Sequence, residues 1–204
     1  MKINNQYLTA NYTSKQLKQF AQHLDLMIKW NQTYNLTTIT KPGDMVVLHI
    51  LDSLTINPFL LGSRICDVGS GAGLPAIPLA IVNPDKHFTL IDSNNKKIRF
   101  LAQVKIELKL NNVEIIHARV EKYQPKNCCN TIVSRAFSSI NDMLLQTQHL
   151  CCNDGIFLAM KGIYPEKELS ELKPDFKVKW IKKLKIPGLD AERHLVCVCK
   201  YRGT

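Results

Sequence analysis

The segment Ile65-Cys66-Asp67-Val68-Gly69-Ser70-Gly71-Ala72-Gly73-Leu74-Pro75 constrains the fold more than any other. A short apolar run enters a loop with glycine at every second position, and Pro75 then opens a helix where its missing N–H costs nothing. Glycine adopts positive φ cheaply and lets a flat ligand lie close to the backbone. Ligands of open α/β sheets bind outside the carboxyl ends of the strands, where such a loop lies. The surrounding pattern agrees. Apolar runs recur at 65–68, 88–91, 113–117, 131–133 and 155–160, and Lys96 to Leu110 has helical period, with Ile98, Leu101, Ala102 and Leu108 on one face. This alternation predicts βαβ units and a mostly parallel sheet. The chain closes differently: 176–186 and 194–201 read as two strands joined at Pro187-Gly188 without a helix between.

Two helices precede this core. Residues 13–31 carry a capping box (Thr13, Gln16) and a stripe of Leu17, Phe20, Ala21, Leu24, Met27 and Ile28. Residues 44–54 place Val47, Ile50, Leu51 and Leu54 on one side, with His49 and Asp52 one turn apart. Those two polar residues read as structural or as lining a cleft. No Gly- or Ser-rich linker follows, so 1–204 reads as one domain, with 1–60 a helical cap and 61–204 the α/β core.

Two cofactors compete for the loop. A nicotinamide dinucleotide site wants G-x-G-x-x-G, but counting from Gly69 puts Leu74 in the third glycine slot. The pattern is instead D-x-G-x-G-x-G, from Asp67 through Gly69, Gly71 and Gly73. That form resembles motif I of the class I methyltransferases, whose ligand, S-adenosylmethionine, has no pyrophosphate to seat on a helix N-terminus. The second strand ends in Asp92, placed to accept the hydroxyls of a ribose. The third ends near Val120 and Glu121, which would flank an adenine through apolar contact and a hydrogen-bond acceptor.

Methyl transfer from a sulfonium is an in-line displacement, so proximity and orientation dominate. The Asn/Asp-Pro-Pro-aromatic sequence that serves exocyclic amines is absent, and no cysteine follows a proline as pyrimidine C5 chemistry requires. The fourth strand ends Ser134-Arg135-Ala136-Phe137. Arg135 supplies fixed positive charge, for a cofactor carboxylate or an RNA phosphate, and offers no base. A ring nitrogen such as guanine N7, which carries no proton, is the nucleophile this favours.

Lys and Arg total 27 against 17 Asp and Glu, a net +10, which favours a polyanionic partner. A methyltransferase for a small molecule or protein would leave that charge unexplained. A non-catalytic RNA-binding protein that retains the nucleotide fold is the other alternative, and measured cofactor affinity separates it, since a relic site should not bind. No apolar run approaches the roughly 20 residues that cross a bilayer, and Met1–Gln6 lacks the apolar stretch of a secretory signal. The seven cysteines lack zinc-site spacing, so no metal is expected, and they read as thiols in a reducing, cytoplasmic compartment.

Together these motifs resemble the small-subunit rRNA methyltransferase G family, also called glucose-inhibited division protein B. The likeness covers nearly the whole chain: Asn35-Leu36-Thr37, His49 to Leu54, the glycine loop, Leu90-Ile91-Asp92-Ser93, Lys96-Lys97-x-Arg99-Phe100-Leu101, Ser134 to Phe137, Met160-Lys161-Gly162 and Glu192-Arg193-His194. Ala76 departs from the glycine usual at its position. The resemblance implies a Rossmann-like class I fold with a seven-stranded sheet and S-adenosylmethionine as donor. It implies N7 methylation of a guanine in the 530 loop of 16S rRNA, position 527 in standard numbering. The cofactor contacts it implies are Gly69 and Leu74 with their loop, Val120, Glu121 and Arg135, the last also the catalytic candidate. Lys96, Lys97, Arg99, Lys161 and Arg193 are expected to meet RNA, with a more peripheral lysine set at 177, 179, 182, 183 and 185. The expected partner is 16S rRNA or the 30S subunit, and the chain is expected to act as a monomer.

Overall fold

The computed structural model describes residue 3, residues 5–135 and residues 137–201. Ala136 of the fourth-strand motif lies outside them.

Seven strands form one sheet: β1 (Arg64–Val68), β2 (His87–Asp92), β3 (Val113–His117), β4 (Cys129–Ser134), β5 (Cys151–Lys161), β6 (Phe176–Lys183) and β7 (His194–Lys200). Their order is β3-β2-β1-β4-β5-β7-β6. The pairs among β1 to β5 are parallel, and β7 runs antiparallel between β5 and β6. The order reverses between β1 and β4, so the loops after those two strands diverge and leave a crevice at their carboxyl ends. The Ser134 hydroxyl donates to the Val68 carbonyl at 3.1 Å and ties the two ends together.

Strand periodicity assigns each apolar side chain to one of two layers. Ile65, Phe88, Leu90, Val133, Leu158 and Leu195 face a core shared with α2 (Ser14–Tyr34), α5 (Ala76–Val82) and α6 (Asn95–Glu107). Cys66, Val68, Ile91, Ile132, Phe157 and Val196 face the other, which α7 (Ile140–Thr147) covers. Short α1 (Gln6–Asn11) and α8 (Glu166–Ser170) complete the ends. The α2 capping box forms as expected, with the Thr13 amide donating to Gln16 Oε1 at 3.0 Å. Phe100, Leu101, Val104 and Leu108 form the buried stripe of α6 and its end, while Ile98 and Ala102 sit at its margin.

The 44–54 helix is interrupted. It comprises α3 (Pro42–Met45), a π-helical turn (Val46–Leu51) and α4 (Asp52–Leu54). The reading of seven thiols is corrected at one pair. Register sets Cys129 of β4 beside Cys151 of β5, which brings the flanking Cys128 and Cys152 to a Cα separation of 4.9 Å, and they are joined as a disulfide. Among the described residues no helix is long and apolar enough to cross a membrane.

Candidate active site

A cavity of about 450 Å³ opens at the carboxyl ends of β1, β2 and β3, and Gly69, Asp92, Val120, Glu121, Phe137 and Gln146 are among its walls. The glycine loop reaches it by pairing with β2: the Gly69 amide donates to the Ile91 carbonyl at 2.9 Å. Gly69 has φ +70° and open space where a Cβ would stand, so its backbone is bare toward the cavity. Asp92 organises the floor. Its carboxylate accepts from the Gly71 amide at 2.9 Å and the Asn94 amide at 2.8 Å, and Lys97 Nζ lies 3.8 Å away.

Asp67 is buried beneath this loop, and among the described residues no well-formed hydrogen bond reaches either of its carboxylate oxygens, although the Ala76 amide and Ser70 hydroxyl lie near. Burial pushes its carboxyl up to about 7, against the opposing pull of the Ala76 amide, the Arg135 charge and the Ser70 hydroxyl. A buried carboxylate without a full set of partners is costly unless it is protonated or a cation meets it.

A second cavity, of about 310 Å³, lies on the other side of the loop after β4. Leu48, His49, Asp52, Arg135, Lys161 and Arg193 contribute to its wall. The two cavities are neighbours along the chain, since Arg135 lines one and Phe137 the other. Arg135 Nη1 donates to the Leu48 carbonyl at 3.1 Å and to Asp52 Oδ2 at 3.3 Å. Arg193 Nε donates to Asp52 Oδ1 at 3.2 Å. Lys161 pairs with Glu168 at 2.9 Å. His49 bonds the Thr37 hydroxyl through Nε2 at 3.1 Å. Burial, then the Arg135 charge, lowers its pKa to about 4, so the ring is neutral at pH 7.

The residues singled out from sequence therefore divide. Gly69, Asp92, Val120 and Glu121 share the first cavity, and Arg135, Lys161 and Arg193 share the second. Gly71 reaches the first cavity only through its bond to Asp92. Gly73 and Leu74 turn inward. A Cβ on Gly73 would stand 2.4 Å from Ile77 Cγ1, and Leu74 is buried in the helix-covered core. Ala76 is buried in the same core and does not line the cavity. Lys96, Lys97 and Arg99 stay at the start of α6, where Lys96 lies over the Tyr34 ring at 5.8 Å. Sequence reasoning did not find Leu48, whose contribution is a backbone carbonyl, nor Phe137 and Gln146 as cavity walls.

The comparisons with known proteins converge on one family. The chain matches the family model described as rRNA small subunit methyltransferase G over residues 16–196. It is 49% identical over 193 residues to the ribosomal RNA small subunit methyltransferase G of Shewanella pealeana, covering 95% of this chain and 92% of that protein. With the corresponding protein of Idiomarina loihiensis it shares 46% over 190 residues, covering 93% and 92%. The chain belongs to the rRNA small subunit methyltransferase G family. Among solved structures, an S-adenosylmethionine-dependent methyltransferase from Aquifex aeolicus is similar with a TM-score of 0.63 at 16% identity, covering 80% of this chain and 96% of that one. An O-methyltransferase from Thermotoga maritima gives 0.57 at 15%, covering 87% and 72%. These two likenesses concern the fold, which is that of class I methyltransferases.

The methyltransferase's own residues fit S-adenosylmethionine. Val120 offers an apolar wall and Glu121 an acceptor for an adenine. Asp92 has lone pairs left for a ribose diol after its two amide bonds. The two oxygens of Asp67, which no well-formed hydrogen bond reaches among the described residues, suit an ammonium group.

Proposed function

We propose that this methyltransferase transfers the methyl group of S-adenosylmethionine to N7 of a guanine in 16S rRNA, at position 527 of the 530 loop in standard numbering. The observation that carries the reading is the pairing of two cavities across one loop, one floored by Asp92 and the glycine loop, the other lined by Arg135, Lys161 and Arg193. The bound cofactor supplies an electrophilic methyl. The chain supplies position. Asp67, Gly69, Gly71, Asp92, Val120 and Glu121 hold the donor, while Gly73 and Leu74 hold the loop by packing. Arg135 faces the nucleotide, and Lys161 and Arg193 accompany it, with Lys96, Lys97 and Arg99 as a second group of phosphate contacts.

The acidic and imidazole groups that line the second cavity are engaged: His194 bonds the Gly162 carbonyl through Nδ1 at 2.9 Å. Asp52 is engaged by two arginines, and His49 is neutral with a pKa near 4. Guanine N7 needs no base, because its lone pair is free and nothing is abstracted before transfer. The cap of residues 1–60 and the core of 61–204 act as one unit, since the cap brings Leu48, His49 and Asp52 to the Arg135 cavity. We place the enzyme in the cytoplasm as a monomer, acting on 16S rRNA or on the 30S subunit.

The test is transfer by purified protein to 16S rRNA followed by nucleoside mass spectrometry. The expected product is 7-methylguanosine. Arg135→Ala should remove most of it per folded molecule, with some loss of stability because the buried Asp52 carboxylate is left to Arg193 alone. Methyl on a ribose, an exocyclic amine or a pyrimidine carbon would overturn the reading.

A further inference from the structure

We propose that Asp52 is a positioning residue, whose buried carboxylate presets the two arginines of the nucleotide cavity before RNA arrives. The inference rests on the functional reading above and names a residue which that reading leaves unassigned. Three segments distant in sequence meet at this one group: the cap helix, the loop after β4 and the start of β7. Asp52 is only 2% exposed. Its Oδ2 accepts from Arg135 and its Oδ1 from Arg193, at 3.3 and 3.2 Å. A buried carboxylate is tolerated only when paired and hydrogen-bonded, and here both oxygens are engaged. Two guanidinium groups on one carboxylate leave a surplus positive charge. Arg135 and Arg193 are each about a quarter exposed, so that charge faces the cavity.

The π turn is what allows the arrangement. In a regular α-helix the Asp52 amide would bond the Leu48 carbonyl. Here it bonds the His49 and Val47 carbonyls instead. The Leu48 carbonyl goes to Arg135 Nη1, the same nitrogen that Asp52 holds. One widened turn thus offers a carboxylate and a carbonyl to a single guanidinium, in keeping with the concentration of such bulges at functional sites. Arginine side chains have many rotamers, and fixing them in advance removes that ordering cost from substrate binding. Asp52 need not touch RNA to do this.

The test is a double-mutant cycle on methyl transfer to 16S rRNA. Asp52→Asn keeps the side-chain shape and removes the charge. It should lower kcat/KM for RNA tenfold or more and leave S-adenosylmethionine affinity within twofold of wild type. Arg135→Ala should cost at least tenfold in the wild-type background but less than threefold in Asp52→Asn, because the arginine is already misplaced. Losses that multiply, or a folded Asp52→Asn with wild-type kcat/KM, would overturn the proposal. Should Asp52→Asn fail to fold, Arg135→Ala and Arg193→Ala are combined instead: residues set by a shared carboxylate give losses that do not multiply, and independent losses refute the hub. Absence of transfer by the wild-type control would overturn the functional reading itself, and is read before any variant.

Discussion

Asp67 stands two residues before the first glycine of the loop, buried, with no well-formed hydrogen bond to either oxygen among the described residues and its carboxyl raised to about 7 by burial. Below that pH the folded protein holds it protonated, and a neutral carboxyl has little to offer an ammonium group. Affinity for S-adenosylmethionine should therefore rise as pH increases from about 6 through 7, as Asp67 ionises. Asp67→Asn should bind more weakly and lose that rise. Calorimetric titration at several pH values decides it, and a wild-type affinity flat across this window would remove Asp67 from the cofactor site. The sequence marks the acid of D-x-G-x-G-x-G as a candidate cofactor residue, which this titration tests. That it lies beneath the loop without a well-formed hydrogen bond was not legible there, because a motif gives spacing and not burial. Leu48 was invisible for a related reason: its backbone carbonyl acts, and the identity of its side chain says nothing about that.

At the scale of an element, the glycine loop separates two requirements that the motif presents as one. Gly73 has φ +79°, and a Cβ there would lie 2.4 Å from Ile77 and 2.9 Å from Leu101. Gly73→Ala should cost about 2–4 kcal/mol, combining overpacking with left-handed strain. Gly69 has φ +70° and nothing within 4 Å, so Gly69→Ala should cost only about 1–2 kcal/mol of strain while its methyl group narrows the cavity. Urea unfolding should rank Gly73→Ala as the less stable, and calorimetry should show the larger loss of cofactor affinity in Gly69→Ala relative to its stability loss. The reverse ranking would contradict the inward placement of Gly73. The βαβ alternation and the closing hairpin were readable because period and turn residues carry them. The π turn was not, since one widened turn leaves Val47, Ile50 and Leu51 in a pattern that still reads as a continuous helix, and the pairing of Cys128 with Cys152 depends on a strand register that sequence alone does not fix.

Across the whole molecule the net charge of +10 includes two groups of cations that the proposed function assigns to RNA, one at the second cavity and one at the start of α6. RNA affinity should fall steeply with salt, by roughly 0.7 to 0.9 in log–log slope for each phosphate contact. Replacing Lys96 and Arg99 together by alanine should shallow the slope by about two such contacts and leave cofactor binding intact, as filter binding over a salt series would show. An unchanged slope would return both residues to the solvated surface. Arg135 lines the second cavity, two residues before Phe137 of the first and with Asp52 behind it, and the proposed reading gives one chemical product at one kind of atom. The most direct measurement is mass mapping of nuclease-digested 16S rRNA from cells with and without the gene. A single 7-methylguanosine in the 530 loop should be present with the gene and missing without it. A 16S rRNA with the same methylation in both strains, or one that loses a methyl group from any other kind of atom, would contradict the proposed reading.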